Sequence, residues 1–223
     1  DQGRLVERKA GEGIDRAQSV INSVERAGLD PGGASEILRQ ARDQAREGRS
    51  GVAQELAKKA ADQAASGARA KLMERLKNLE TNSRAMELKG PDLDKALASR
   101  EEVREKIEQW KFQEALHLLK DMEEELERVD KQRRMSDRTV KETRAKVEGA
   151  RERGLASPEM DDLVERAEGK MEQGAFADAF SLAMRCNDEL RAMEEMYDRR
   201  RKELDSLRRR MEGMADEGKD IQE

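Results

Sequence analysis

The feature that most constrains this chain is an internal repeat marked by four glycines. Gly28, Gly90, Gly154 and Gly218 stand 62, 64 and 64 residues apart. Because a left-handed glycine is a common way for a helix to end, each of them predicts a helix terminus. Self-similarity with a period of tens of residues is typical of helical arrays. The sequence therefore predicts a series of similar helical units.

The same offsets bring mostly apolar residues of successive units into register. One such column holds Ile14, Leu76, Val140 and Leu204. The other columns are Ala17, Leu79, Thr143 and Leu207; Val24, Met86, Ala150 and Met214; Gly48, Trp110 and Gly174; Ser50, Phe112 and Phe176; Ala53, Ala115 and Ala179; and Ala60, Met122 and Cys186. Chance alignment of so many columns is not expected.

The segment 154–190 shows the unit most clearly, as a helical hairpin. Ser157 is a candidate N-cap before Pro158, which suits a first helical turn, and Gly174 breaks the run before a second apolar stripe. The same reasoning predicts helices over 4–27, around Ile37 and Leu38, and over 52–89, 93–109, 112–153 and 176–216. We expect Gly218 to close the last helix. In the helix 112–153 we expect the buried face to be interrupted at Arg133 and Ser136.

These elements predict an all-α fold made of tandem repeats of about 62–64 residues. Each repeat would be a short three-helix bundle joined to the next by a long continuous helix, giving an elongated molecule. The predicted repeats are 1–66, 67–130 and 131–195, and 196–223 would be the first helix of a fourth, so we expect the parent protein to continue. With 43% charged and 2% aromatic residues, the chain fits long solvated helices better than a compact enzyme. The regular spacing of apolar residues and breakers argues against disorder.

Two known architectures share parts of this pattern. The continuous helix between consecutive bundles resembles spectrin-type repeats, although the unit here is much shorter. The hairpin with Gly174, Phe176 and Ala179, preceded by Pro158, resembles a tetratricopeptide hairpin, whose period of about 34 residues is absent. These resemblances imply architecture and transfer no activity.

Few residues point to chemistry. Glu114 and His117 have the Glu-x-x-His spacing of di-iron bundles, but such a site needs a second copy and His117 is the only histidine. We expect His117 on the surface and Cys186, the only cysteine, in the core. The sequence has no Gly-rich phosphate loop, no Ser/His/Asp set and no Cys/His metal spacing. No catalytic residue, cofactor or metal is predicted.

Two features are candidate partner contacts. Trp110 stands where the other units have a turn glycine, and it either packs over its own bundle or anchors a partner. Basic residues cluster in two places, and the second cluster carries the candidate contacts Arg199, Arg200, Arg201, Arg208, Arg209 and Arg210. The first cluster holds Lys131, Arg133, Arg134, Arg138 and Lys141. Each cluster is either a solvated face paired with nearby acids or a ridge for an anionic partner.

The expected function is a non-enzymatic scaffold, a helical-repeat rod that spaces proteins, binds them or associates with itself. The alternatives are a tetratricopeptide-like module that binds peptides, and a binder of nucleic acid or anionic membrane surfaces through the arginines. The net charge of −5 gives no reason to expect bulk nucleic-acid binding. The sequence has no signal-peptide pattern and one cysteine, which favours the cytoplasm or a cytoplasmic region of a larger protein.

Overall fold

The structure is a computed structural model that describes the backbone of residues 2–86 and 88–220 and the side chains of residues 5–86 and 88–212. Over the described residues the fold is all-α, as predicted. The helices are α1 (Gln2–Arg26), α2 (Ala34–Arg46), α3 (Ser50–Ala85), α4 (Pro91–Ala96), α5 (Arg100–Glu108), α6 (Phe112–Glu152), α7 (Pro158–Gln173) and α8 (Phe176–Asp220). Among these described helices, none combines the length and the apolar character needed to cross a bilayer.

The chain forms two compact units. The first contains residues 1–89 and 93–129, and the second contains residues 90–92 and 130–223. Helix α6 contributes its first part to one unit and its second part to the other. The division into four repeats and the elongated shape stay predictions.

In the first unit, α1, α2 and α3 pack on one another through small side chains. The alanines Ala17, Ala41, Ala57 and Ala64 are all fully buried. A Cβ placed on Gly13 would be 3.8 Å from the Ala57 side chain, an ordinary van der Waals distance. Alanine lets helix axes approach closely and has the highest helix propensity, so the alanine-rich half of α3 suits both roles.

In the second unit, the C-terminal part of α6 packs with α7 and the start of α8. Val147, Leu163 and Cys186 belong to one apolar cluster, and Val140 and Ala183 belong to its neighbour. The predicted ends of α7 are confirmed. The Ser157 side chain accepts a hydrogen bond from the Met160 amide, Pro158 opens the helix, and Gly174 ends it in the left-handed conformation with φ of 73°.

Three predictions of helix limits are wrong. α3 ends at Ala85, four residues before the predicted end at Lys89, so Gly90 is not the residue that terminates it. The helix predicted over 93–109 is divided into α4 and α5, because the backbone closes tight turns at its centre. The Ala98 amide donates to the Lys95 carbonyl and the Arg100 amide to the Leu97 carbonyl, three residues back in each case. Ser99 then occupies the N-cap position of α5, a position that serine favours over a helix interior. Gly218 does not close the last helix, since the α8 backbone continues to Asp220.

The predicted interruption of the buried face in α6 is also wrong. Ser136 is fully buried, and its hydroxyl donates a hydrogen bond of 2.7 Å to the Phe176 carbonyl. Asp130 is 8% exposed and pairs with Arg133 and Arg134. Burial therefore continues along this part of α6 on polar residues whose hydrogen-bonding groups are satisfied.

A close backbone approach in the second unit involves the segment 90–92. Gly90 has φ of 76°, and a Cβ at this position would lie deep inside van der Waals contact with the Gln173 carbonyl oxygen and 2.9 Å from the carbonyl carbon. Beside it, the Asp92 carboxylate accepts a hydrogen bond of 3.0 Å from the Phe176 amide. The Phe176 amide lies in the first turn of α8, where amides have no partner within the helix.

Candidate interaction surfaces

The turn at Trp110 has an unusual backbone conformation. Trp110 has φ of 60°, and in the described part of the chain it is the only residue other than glycine with a positive φ. Its amide donates to the Ile107 carbonyl at 3.2 Å, and the Lys111 amide donates to the Lys106 carbonyl at 2.9 Å. This left-handed conformation costs an L-residue about 1–2 kcal/mol. A large side chain is therefore held where glycine would be unstrained.

The indole of Trp110 is half-buried. It packs in its own unit, where the Arg16 guanidinium carbon lies 6.0 Å from the ring centroid, within cation–π range. Trp110 also borders a groove with a cavity volume of about 620 Å³. The groove is lined by Ser23, Arg26, Trp110, Lys111, Gln113, Glu114, Leu116, His117 and Lys120.

The charges of this groove favour a partner with acidic character. Arg26, Lys111 and Lys120 are exposed and contribute three permanent positive charges. The single acid, Glu114, accepts a hydrogen bond of 2.7 Å from Lys106. That hydrogen bond lowers the pKa of Glu114 and raises the pKa of Lys106. The predicted partner contact at Trp110 therefore adjoins a basic groove that could receive acidic side chains.

The second arginine cluster is fully on the surface. All six arginines lie on the part of α8 that stands exposed from Glu195 to Glu212. Arg199 is 3.9 Å from Glu195 and Arg208 is 3.7 Å from Glu212, each one turn away on the same helix. The same exposed segment carries the large apolar residues Tyr197, Leu204, Leu207 and Met211. The sequence analysis aligned Leu204 and Leu207 with apolar columns of the other repeats but did not predict that they are exposed.

The first basic cluster is compensated by acids of its own helix. Asp130 pairs with both Arg133 and Arg134, so its carboxylate partly neutralises two of the five cations of this cluster. Further along α6, Arg138 donates to Glu142 and Lys141 donates to Asp137, both within hydrogen-bond distance. These contacts support the interpretation of this cluster as a paired helix face.

The remaining single candidates have ordinary environments. His117 is 78% exposed and lies 3.7 Å from Asp121, one turn along α6, so its predicted surface position is confirmed. Cys186 is fully buried, as predicted, and burial raises the pKa of its thiol. Among the residues that the structure describes, no three His, Cys, Asp or Glu side chains are arranged to hold a metal ion.

Several contacts that shape these surfaces were not predicted. The approach of Arg16 to Trp110 and that of Asp92 to Phe176 join residues far apart in sequence. Periodicity identifies which face of a helix is buried, but it does not identify the residue opposite. Among the sequence features, only the alignment of repeat columns pointed to one of these contacts, because it singled out Trp110.

No protein-family model, no curated protein and no solved structure matches this chain.

Proposed function

We propose that the chain is a non-enzymatic helical-repeat scaffold that spaces and docks protein partners. The observation that carries this proposal is one local geometry that recurs at the predicted period. Gly48, Trp110 and Gly174 have φ of 76°, 60° and 73°. In each case that residue's amide donates to the carbonyl three residues back, and the next amide donates to the carbonyl five residues back. These turns stand 62 and 64 residues apart, as the repeat requires.

A second recurrence involves side chains. Arg42 donates to Gln18 at 2.6 Å, and Arg104 donates to Glu80 at 2.9 Å, which are the same two columns one repeat apart. In the next repeat the same columns hold Arg144 and Glu168, which also pair but with the positions of the charges exchanged. The two columns stay in contact although their residues change, and a shared helix–helix geometry in the three repeats accounts for this.

The proposed mechanism is geometric. In repeat proteins each unit contacts only its neighbours, so the array presents long surfaces at fixed spacing. Helices α3 and α6 have 36 and 41 residues and would each serve two consecutive repeats. At ~1.5 Å per residue, helices of this length extend about 54 and 62 Å. Such helices would hold the ends of the scaffold apart.

The test is small-angle scattering of the full chain over a concentration series, with and without Ser136→Pro. We expect a monomer much longer than a sphere of 25.3 kDa. Proline at position 136 should interrupt α6 and lower the free energy of unfolding by ~3 kcal/mol or more. The segments before and after position 136 should then unfold in separate transitions. Ser136→Ala controls for loss of the hydroxyl, and Ser50→Pro is the matched control because position 50 opens α3.

Three results would contradict the scaffold as proposed. A compact or curved monomer would favour the tetratricopeptide-like solenoid, and the search would turn to a peptide in a groove. A mass that doubles with concentration would favour self-association. Unchanged shape and cooperativity in the Ser136→Pro chain would show that α6 does not couple repeats.

The exposed arginines of α8 favour a second candidate, the binding of an anionic partner. Its affinity for nucleic acid or anionic vesicles should fall steeply with salt and should weaken when Arg199, Arg200 and Arg201 are neutralised. Neutralising Arg133 and Arg134, which pair with Asp130, is the matched control. Binding that is indifferent to the first change would remove this candidate.

A further inference from the structure

Helix α8 carries an exposed apolar stripe formed by Tyr197, Leu204, Leu207 and Met211. Tyr197 is 47% exposed, Leu204 66%, Leu207 53% and Met211 72%. Their spacings of seven, three and four residues place them on one side of the helix. Leu204, Leu207 and Met211 follow one another at helical spacing, and exposed apolar residues grouped on one helix face are typical of an interaction site.

The residues one repeat earlier are covered. Positions 64 residues before Leu204, Leu207 and Met211 are Val140, Thr143 and Val147 on α6, which are 4%, 0% and 2% exposed. The corresponding positions on α3 are Leu76, Leu79 and Ser83, which are 1%, 8% and 1% exposed. Equivalent positions of the repeat are therefore buried on α3 and on α6 but exposed on α8.

The structure identifies what covers this register on α6. Val147 belongs to an apolar cluster with Leu163 and Cys186. Val140 belongs to a cluster with Ala167 and Ala183. The covering element is thus a helical hairpin made of the short helix α7 and the start of α8.

A charged pair indicates which side chain a hairpin bound to this part of α8 should carry. On α6, Arg144 holds Glu148 of its own helix through Nε at 3.3 Å and donates through Nη1 to Glu168 of the short helix. On α8, Arg208 occupies the column of Arg144, and its Nε lies 3.7 Å from Glu212, which occupies the column of Glu148. A hairpin docked in the same way would place a side chain of its short helix against Arg208.

We propose that residues 197–211 of α8 dock a helical hairpin of the α7–α8 kind whose short helix presents a carboxylate to Arg208. This inference rests on the repeat architecture of the proposed scaffold. The apolar stripe supplies the area that the hairpin buries, and the arginine fixes its register through a charged hydrogen bond.

The experiment uses the full chain and, as the probe, a fluorescent peptide with the sequence of residues 155–190, which contains the loop, the short helix and the first part of the long helix. Fluorescence anisotropy should show saturable binding with one peptide per chain. Leu204→Glu should abolish binding, and because Leu204 is exposed the variant should fold as the parent does.

The charge pair provides the sharper test. Arg208→Glu should weaken binding about tenfold, and a peptide carrying Glu168→Arg should restore it. Arg209→Glu is the matched control with the same change in net charge, since the position 64 residues earlier is the exposed Ala145. Equal effects of the two substitutions, or no rescue by the exchanged peptide, would overturn the proposed register.

Two other results would overturn the docking proposal itself. One is the absence of saturable peptide binding. The other is a homodimer that Leu204→Glu dissolves while the peptide does not compete, which would make a second copy the occupant. The scaffold proposal is decided separately, by scattering of the chain without peptide, so the two failures are distinguishable.

Discussion

Replacing Gly90 by alanine should destabilise the second unit far more than the same change at another left-handed glycine. Gly154 is the matched control, with φ of 73° and no atom within 4 Å of an added Cβ. Gly154→Ala should therefore cost only the left-handed conformation, about 1–2 kcal/mol. At Gly90 the same conformational cost applies, but the added methyl would also overlap the Gln173 carbonyl.

The additional loss of stability at Gly90 arises because the added methyl would force the backbone of Gly90 away from the backbone of Gln173. Separating the two backbones draws the Asp92 carboxylate away from the Phe176 amide, and a hydrogen bond to a charged group contributes about 1.5–3 kcal/mol. The expected total for Gly90→Ala is then about 2.5–5 kcal/mol, compared with about 1–2 kcal/mol for the control.

Urea unfolding followed by far-UV circular dichroism measures both costs. Asp92→Ala alone should lose about 1.5–3 kcal/mol and should add little to Gly90→Ala, because both changes remove the same contact. If Gly90→Ala and Gly154→Ala cost the same, or if Gly90→Ala and Asp92→Ala are additive, the close approach at Gly90 does not stabilise the unit as argued.

Four further outcomes are expected. Trp110→Gly should change the free energy of unfolding by less than about 1 kcal/mol in urea titrations, because relief of the left-handed strain offsets the lost half-buried indole. Ser157→Ala should destabilise the second unit by about 1 kcal/mol in the same assay, because it removes the N-cap of α7. Cys186 should react with a thiol reagent in the native state far more slowly than in urea, because it is buried and its pKa is raised. The hydrogen bond from Lys106 lowers the pKa of Glu114 below 4.5. The stability that this Lys106–Glu114 pair contributes is therefore present above pH 4.5 and is lost as the pH falls through the lowered pKa. Urea midpoints measured across that range should fall less in Glu114→Gln than in the parent.

The helix ends show how much of the fold is local. Gly28, Gly154 and Gly174 end helices where the sequence predicted, because a left-handed glycine acts within a few residues. The division at Ser99 escaped the same reasoning, because nothing in the apolar pattern of 93–109 distinguishes one bent helical segment from two helices.

The sites show what sequence periodicity leaves undetermined. Trp110 could be singled out because its column otherwise holds glycine. Its neighbour Arg16 could not, since the choice of which helix lies opposite depends on packing across the unit. The sequence predicts a break in the buried face at Ser136, but a hydroxyl can be buried when it donates to a carbonyl, and that carbonyl belongs to Phe176, 40 residues away.

The exchanged charges of the pairs Glu80–Arg104 and Arg144–Glu168 would also specify which short helix packs on which long helix. Arrays of similar units are prone to mispairing, because the hydrophobic faces of different copies are nearly interchangeable. If the short helices α5 and α7 changed places, Arg144 would face Arg104 and Glu80 would face Glu168. Each wrong pairing would set like charges together, so in the proposed repeat architecture repulsion as well as attraction would favour the correct order of repeats.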